Sequence, residues 1–386
     1  MSERLRSGIH ALVEEWRAPH VPWRERLPGI LALGLLVLPV SLWTLWSVAE
    51  LFFEGWWGPL AQRLLYLIPM IICLTLTVVV LRWPRAGGMV LVAAGALFSA
   101  WWWPQMLRRA GGALSGAAFL SLFAVSGIFV VTGGLWYWEG RRLARLNNPE
   151  RIPRWIQRAR WVIGLGLPLV IGVGVLAYHL PVVLLRVDRG ERSAVRIQGN
   201  GVDLVWAPEG PGWARGAGPY PEGGRPVVAF PGWDALAWYG RYGLDVRAFP
   251  SGQHATAADM AATGLCRYLN AEGKQLMQEP QDVWRMPTVE EIVRSLVWRG
   301  ENAGCSWDGG TQTVHCRVRP DKDWPLWATD WSPVYYWAAD EASAEEAWVV
   351  SSTGFVAHQP KHWGNSRHGF RCVREPDALP RNDQTF

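Results

Sequence analysis

The rhythm of apolar and polar positions changes near Arg186. Before it, long apolar runs are separated by short arginine-bearing segments. After it, apolar positions come in small groups between Gly, Pro and Trp. Five runs in the first half are long enough to cross about 30 Å of hydrocarbon as helices. They lie at about Leu27 to Phe53, Leu64 to Leu81, Gly88 to Met106, Ala117 to Trp138 and Trp161 to Leu185. The last contains Pro168 and Gly164, Gly166, Gly172 and Gly174. Isolated prolines and glycines are tolerated in a span, and close glycines let another helix approach. Tryptophans such as Trp43, Trp83, Trp101, Trp136 and Trp161 mostly fall near run ends, the interfacial position for an amphipathic ring. Leu5, Ile9, Leu12, Val13 and Trp16 repeat at helical spacing. That segment suits either the membrane surface or a partner-binding helix.

The second half has a different pattern. Val202, Leu204 and Trp206 alternate as in a strand, and a Pro-Gly run follows. Pro208 to Pro250 shows no helical period, which predicts ordered loops held by Trp213, Trp233, Trp238 and Tyr242. Thr256 and Asp259 form a near capping box for a helix that runs on through Met260, Cys266, Tyr268 and Leu269. A second helix lies within Trp284 to Val297, with Thr288 as cap and Glu291 as its reciprocal partner. Strands are predicted at Val334 to Asp340, at Glu346 to Gln359 with a turn at Thr353-Gly354, and at Gly369 to Glu375. The predicted fold class is therefore an all-α transmembrane bundle of about five helices followed by an α+β, loop-rich domain. The divisions are residues 1–26, a cytoplasmic segment; 27–185, the bundle; 186–199, a linker; 200–376, the folded domain; and 377–386, a tail.

Charge gives this layout a direction. Residues 1–185 carry 17 basic and 8 acidic side chains, whereas residues 186–386 carry 21 and 25. The basic excess belongs to the apolar half, which argues for orientation by the positive-inside rule and against nucleic-acid binding. Arginines cluster before the first run, between the second and third, and between the fourth and fifth. Those segments are expected in the cytoplasm, although Arg108 and Arg109 after the third run oppose the pattern. With five spans the second half lies outside the cytoplasm, at the plasma membrane. Inside the runs few ionisable groups stand out: Glu50 and Glu54 end the first, and His179 is near the end of the fifth. Such scarcity disfavours a pump or proton channel.

Four of the five cysteines, Cys266, Cys305, Cys316 and Cys372, lie in the second half. An even number outside the cytoplasm suggests two disulfides, with three possible pairings. Cys305 and Cys316 flank a Gly-Gly turn, which favours a local hairpin bond and leaves Cys266 with Cys372. Cys73, inside the second run, reads as a buried thiol.

The order CRYLN, WRMPTVEEI, YYW, a strand pair joined at TG, and GFRCVRE resembles the sulfatase-modifying-factor superfamily, which includes the formylglycine-generating enzymes. The resemblance covers about Asn200 to Glu375, roughly half of the chain, and does not extend to the membrane half. It implies a variant of the C-type-lectin fold, and it also implies the Cys266–Cys372 bond. The resembled oxidases bind copper through a closely spaced cysteine pair late in the chain. The corresponding stretch here, VYYWAADEASAEEAWVV, has no cysteine, so the expectation is a non-catalytic domain without copper.

Other chemistry is sparse. Lectin-like loops sometimes bind calcium, and Asp308, Asp330 and Asp340 are the candidates for a structural ion, with Glu341 beside them. No other cofactor is expected. His358, His362 and His368 are near in sequence, but Pro360 breaks helical spacing between the first two; they and His315 are expected as loop histidines. Trp307, Trp324, Trp327, Trp331, Trp337 and Trp363 could stack on sugars or, more simply, build the core. Trp307, Trp331 and Trp363 with Arg317 and Arg319 are the candidates for a protein interface. The functional expectation is a non-catalytic subunit of a membrane complex, with integral membrane proteins, lipids and extracytoplasmic subunits as partners. The alternatives are an anchored ligand- or glycan-binding sensor and, less favoured, a formylglycine-generating-like oxidase.

Overall fold

The structure, a computed structural model, describes residues 23–57, 60–109, 116–145, 154–214 and 231–376. The amphipathic segment read at residues 5–18, the tail 377–386 and part of the loop stretch after Pro208 lie outside the described residues. The chain forms two compact units, which divide at Leu180 and Pro181, with the short segment Trp56–Pro59 grouped with the second.

The first unit is helical: α1 (Trp23–Glu50), α2 (Leu60–Leu65), α3 (Ile68–Arg82), α4 (Pro84–Arg109), α5 (Gly116–Leu122), α6 (Ile128–Arg145), α7 (Arg154–Trp161) and α8 (Leu167–Leu184). Single wider turns at Phe123–Gly127 and Val162–Gly166 join α5 to α6 and α7 to α8. Among the described residues four helices are long and apolar enough to cross a membrane: Leu27–Phe53, Pro84–Leu107, Gly116–Arg145 and Arg158–Leu184. The second expected span is instead divided. Its chain turns at Tyr66 and Leu67 and restarts as the 15-residue α3, because Pro69 has no amide proton to continue a helix and sits well in a first turn.

Two devices hold this bundle together. Without a water-driven hydrophobic gain between helices, close packing and interhelical hydrogen bonds must supply the association. Between α1 and α6 with the wider turn that precedes it, Trp136 Nε1 donates to the Ala32 carbonyl at 3.1 Å, Thr132 Oγ1 to that of Leu35 at 3.3 Å, and Trp43 Nε1 to that of Val125 at 3.3 Å. Trp136 is thus an interior residue and not a member of the interfacial belt. Between α4 and α6, Gly88 and Gly95 face Gly133 and the Phe129–Val130 backbone, seven residues apart along the helix. A Cβ on Gly133 would sit 2.7 Å from the Gly88 carbonyl, and one on Gly95 would sit 2.9 Å from the Phe129 Cβ. The glycines expected to matter, those of the last span, contribute less: Gly164 and Gly172 meet side chains at 3.0 Å, and Gly174 faces open space.

The second unit is built of short pieces. β1 (Val195–Gly199) and β2 (Val202–Trp206) form an antiparallel hairpin, and β11 (Val373–Arg374) joins its other edge. A second sheet has the order β10-β7-β8-β9, from His368–Gly369, Tyr335–Glu341, Glu346–Ser351 and Val356–Pro360. Two small hairpins complete the strands, β3 and β4 (Val297–Trp298, Glu301–Asn302), and β5 and β6 (Cys305–Asp308, Thr313–Cys316). The segment read as a linker is part of this unit. Arg186 forms a two-pronged pair with Asp321 at 2.8 Å, the Val187 amide donates to Asp323 at 2.7 Å, and Val195 begins a strand.

Helices here are short. Thr256 caps α11 (Ala257–Thr263) with a complete capping box, but Gly264 takes an extended conformation and ends it, so Cys266 lies on a following 3-10 turn. Thr288 and Glu291 form the second capping box, at the start of α12 (Val289–Arg294). In the stretch read as pure loop, α9 (Trp233–Ala237) and α10 (Tyr239–Tyr242) add two short turns of helix. The predicted last strand is divided: His368–Gly369 and Val373–Arg374 belong to different sheets.

The divider is Arg371. Its guanidinium is fully buried, 3.5 Å from the Trp213 ring centre, and donates to the carbonyls of Ala207, Pro325 and Leu326 at 2.8, 2.7 and 3.0 Å. Trp213 donates in turn to the Tyr336 hydroxyl at 2.8 Å, and Tyr336 stacks on Trp327 at 3.8 Å. Burial draws the guanidinium down to about 9, so it stays charged at neutral pH.

Replacing Gly133 by Leu forces the α4–α6 backbones apart and should lower the melting temperature of the solubilised protein by several degrees. Gly134→Leu, whose Cβ meets nothing within 4 Å, should leave it unchanged. Arg371→Met leaves the buried Ala207 and Pro325 carbonyls unpaired, while Leu326 keeps the Tyr336 hydroxyl at 3.2 Å, and should cost the C-terminal domain about 2 kcal/mol or more in denaturant titration.

Candidate functional site

The C-terminal domain carries an open cleft of about 620 Å³. Its floor is apolar and sulfur-rich, made of Met260 on α11, Trp284, Met286 and Ala339 on β7. Charged side chains form its rim: Arg267, Asp282, Arg285, Glu291 and Asp340. The local sequence explains the arrangement. Gly264 ends α11 and turns Cys266 into the wall, where it is bonded to Cys372. Arg285 and Val373 exchange both backbone hydrogen bonds at 2.8 Å, so the wall is fixed to the last strand twice.

The rim is electrostatically committed. Arg285 holds Glu291 through two contacts of 2.7 Å and reaches Glu375 at 2.8 Å. Those hydrogen bonds, first of all to Glu291, hold Arg285 above its ordinary range against the effect of burial. Burial would raise the Glu291 carboxyl, but Arg285 and the Thr288 cap together bring it below its usual value. Asp340 accepts from the Val289 amide at 2.7 Å, and Arg267 pairs with Asp282 at 2.6 Å. An apolar floor with a few fixed polar groups is the chemistry of a binding pocket: it takes an apolar side chain and orients what carries it. Methionines suit such a floor because their thioethers adapt to the shape they meet.

The residues singled out from the sequence are dispersed. Both disulfides form, Cys266 with Cys372 and Cys305 with Cys316, and Cys73 is a buried thiol. The calcium candidates lie on separate tasks. Asp308 orders the Gly-Gly turn of the β5–β6 hairpin, Asp330 pairs with Arg192 at 3.0 Å, and Asp340 caps α12. Glu341 accepts from the fully buried Lys361 at 2.7 Å. Among the described residues no three His, Cys, Asp or Glu side chains are grouped so that they could hold a metal ion.

Of the interface candidates, Arg317 and Arg319 are exposed, and Trp307 and Trp363 are partly so. Trp331 is not at the surface. Its ring packs on Trp213 at 4.6 Å, because a domain with so little regular structure takes core volume from its tryptophans. Trp327 and Trp337 are fully buried for the same reason, which leaves Trp307, Trp324 and Trp363 as accessible rings.

The histidines also separate. His358 contacts Glu346 at 2.6 Å, and His362 stacks on His254, whose Nδ1 lies 2.8 Å from the buried Asp234. His315 is on the exposed hairpin. His368 lies in an aromatic box with ring distances of 5.2 Å to Tyr335, 5.3 Å to Trp337 and 6.1 Å to Trp363, and neither of its nitrogens has a hydrogen-bond partner. The Asp234–His254 pair and the Arg285 cluster were missed in the sequence, since each joins residues far apart along the chain. Only the Thr288–Glu291 capping box hinted at the second.

Comparison with profiles of known families, with curated proteins and with solved structures finds no match to this chain. The fold itself defines a protein with membrane helices and a separate, disulfide-bonded folded domain.

Burial, helped by Arg367, lowers His368 to about 4 from its usual 6.5. The unfolded chain therefore takes up a proton below pH 6.5 that the folded one refuses until about pH 4. Stability from this group is present above pH 6.5 and is lost as pH falls to about 4, by about 3 kcal/mol. Denaturant titrations at pH 7 and pH 4.5 should show that loss, and His368→Phe should diminish it.

Proposed function

We propose that this chain is a non-catalytic integral membrane subunit of a multiprotein complex, and that its C-terminal domain docks partner proteins on the extracytoplasmic side. The observation that carries the reading is the cleft over Met260, Trp284 and Met286, an apolar floor inside a rim of fixed charges, on a wall held by the Cys266–Cys372 bond. Such a surface fits a side chain or short segment of a partner. The disulfides support an oxidising compartment, and the arginine clusters support a cytoplasmic N-terminus.

That sidedness needs an odd number of crossings. The 15-residue α3 gives about 22 Å of helix axis, and α2 adds 6 residues across a turn, so counting the pair as one crossing supplies the odd number. Cys73, Thr77 and Val80 of α3 are buried against the bundle, which supports counting it with the spans. The resemblance to sulfatase-modifying factors remains part of the reading, as a lectin-like scaffold without the oxidase cysteine pair. A glycan-sensing role draws on the accessible rings of Trp307 and Trp363; a glycan panel that shifts the melting temperature would favour it over docking.

Two measurements test the docking role. Gentle solubilisation should yield a particle larger than the 43.3 kDa chain, with further integral membrane polypeptides at fixed stoichiometry. A photoreactive residue at the exposed Ala261 in the cleft should crosslink to one of those polypeptides, and Arg285→Glu should reduce the yield several-fold. Recovery of a lone monomer would sink the proposal.

A further inference from the structure

One end of the helical bundle gathers positive charge around a single carboxylate. Glu139 in the last turns of α6 is fully buried. It accepts from Arg142 Nε at 2.8 Å, from Arg142 Nη2 at 3.0 Å and from Arg160 Nη2 at 2.9 Å. Gly29 makes room for this contact, since a Cβ there would stand 2.7 Å from Glu139 Oε1 and 2.9 Å from Arg160 Nη2. On the other side, Gly140 lies against the backbone of Arg85. The ends of α1, α4, α6 and α7 therefore meet at one place.

The charges there do not balance. Two guanidiniums share one carboxylate, and Arg142 Nη1 is shielded from solvent without a hydrogen-bond partner. Around them stand the exposed arginines Arg82, Arg85, Arg141, Arg145 and Arg158, on the facing ends of α3, α4, α6 and α7. Glu139 is the one acidic residue among the described residues of α3, α4, α6 and α7, while the start of α1 adds Glu25 between Arg24 and Arg26. A shielded N–H at the edge of an apolar bundle needs an acceptor, and surplus guanidinium charge needs an anion.

We propose that this end of the bundle binds the phosphate of an anionic membrane phospholipid, with Arg142 and Arg160 at the phosphate and the exposed arginines around the headgroup. At the level of helix ends in a bilayer, that phosphate is the anion at hand, and the guanidinium fork matches its oxygens. The inference rests on the helices lying in a membrane and is independent of the docking role of the C-terminal domain.

The test uses the purified full chain in neutral detergent. Melting temperature and retained lipid, read by native mass spectrometry, are measured with added phosphatidylglycerol, phosphatidylcholine or inorganic phosphate. Phosphatidylglycerol should stabilise the chain and remain bound, with at least about tenfold preference over phosphatidylcholine. Glu139→Gln should keep or increase that binding, because the internal anion is gone. Arg142→Gln with Arg160→Gln should abolish it. Should that pair fail to fold, Arg85→Gln with Arg145→Gln, both exposed, should weaken binding several-fold. Equal binding of the two lipids, displacement by inorganic phosphate, loss of binding in Glu139→Gln, or no effect of any arginine substitution would overturn the proposal.

Discussion

The C-terminal domain is organised around the buried guanidinium of one residue, Arg371. Its strands are short and its connections long, so many backbone carbonyls end up inside without a ladder partner. Arg371 collects three of them, from Ala207 at the end of the first hairpin and from Pro325 and Leu326 in a distant loop. It also sits over the Trp213 ring, 3.5 Å from its centre. A guanidinium can do this because it is planar and carries five donors, whereas an ammonium would reach fewer acceptors. Through Trp213 the arrangement continues to Tyr336, Trp327 and Trp331. Next to Arg371, Cys372 ties the same segment to the turn after α11. The cleft wall is therefore as fixed as the core behind it.

The helical unit solves a related problem differently. Its backbone is satisfied within helices, so side chains must provide specificity between them. Glycines on α4 and α6 bring two backbones into contact, and Trp136, Thr132 and Trp43 donate to carbonyls across helices. Glu139 closes one end by engaging two arginines. The tryptophan, threonine and glutamate contacts pair polar atoms that hydrocarbon would leave unpaired, which adds direction to the apolar packing.

The two units thus present different chemistry to their surroundings. The bundle offers apolar faces and one arginine-rich end, and the domain offers an apolar cleft with a rim whose charges are already paired. Paired charges orient a ligand without great cost in desolvation. That is the physical basis of the docking role proposed for this domain.

Much of this architecture was legible from local patterns. Apolar runs of sufficient length specify membrane helices, and Thr256 with Asp259 and Thr288 with Glu291 specify helix starts, because those signals act over a few residues. The Gly-Gly turn specified the Cys305–Cys316 hairpin by the same local logic. Tertiary structure decided the rest. It divided the second apolar run at Pro69, separated Gly369 from Val373 into two sheets, and moved Trp136 and Trp331 from expected surfaces into cores. It also assembled the cleft from residues 257 to 340 and placed Glu139 between Arg142 and Arg160. Periodicity records which face of one element is apolar. Only the packed chain determines what that face meets, since the meeting joins positions whose separation leaves no local trace.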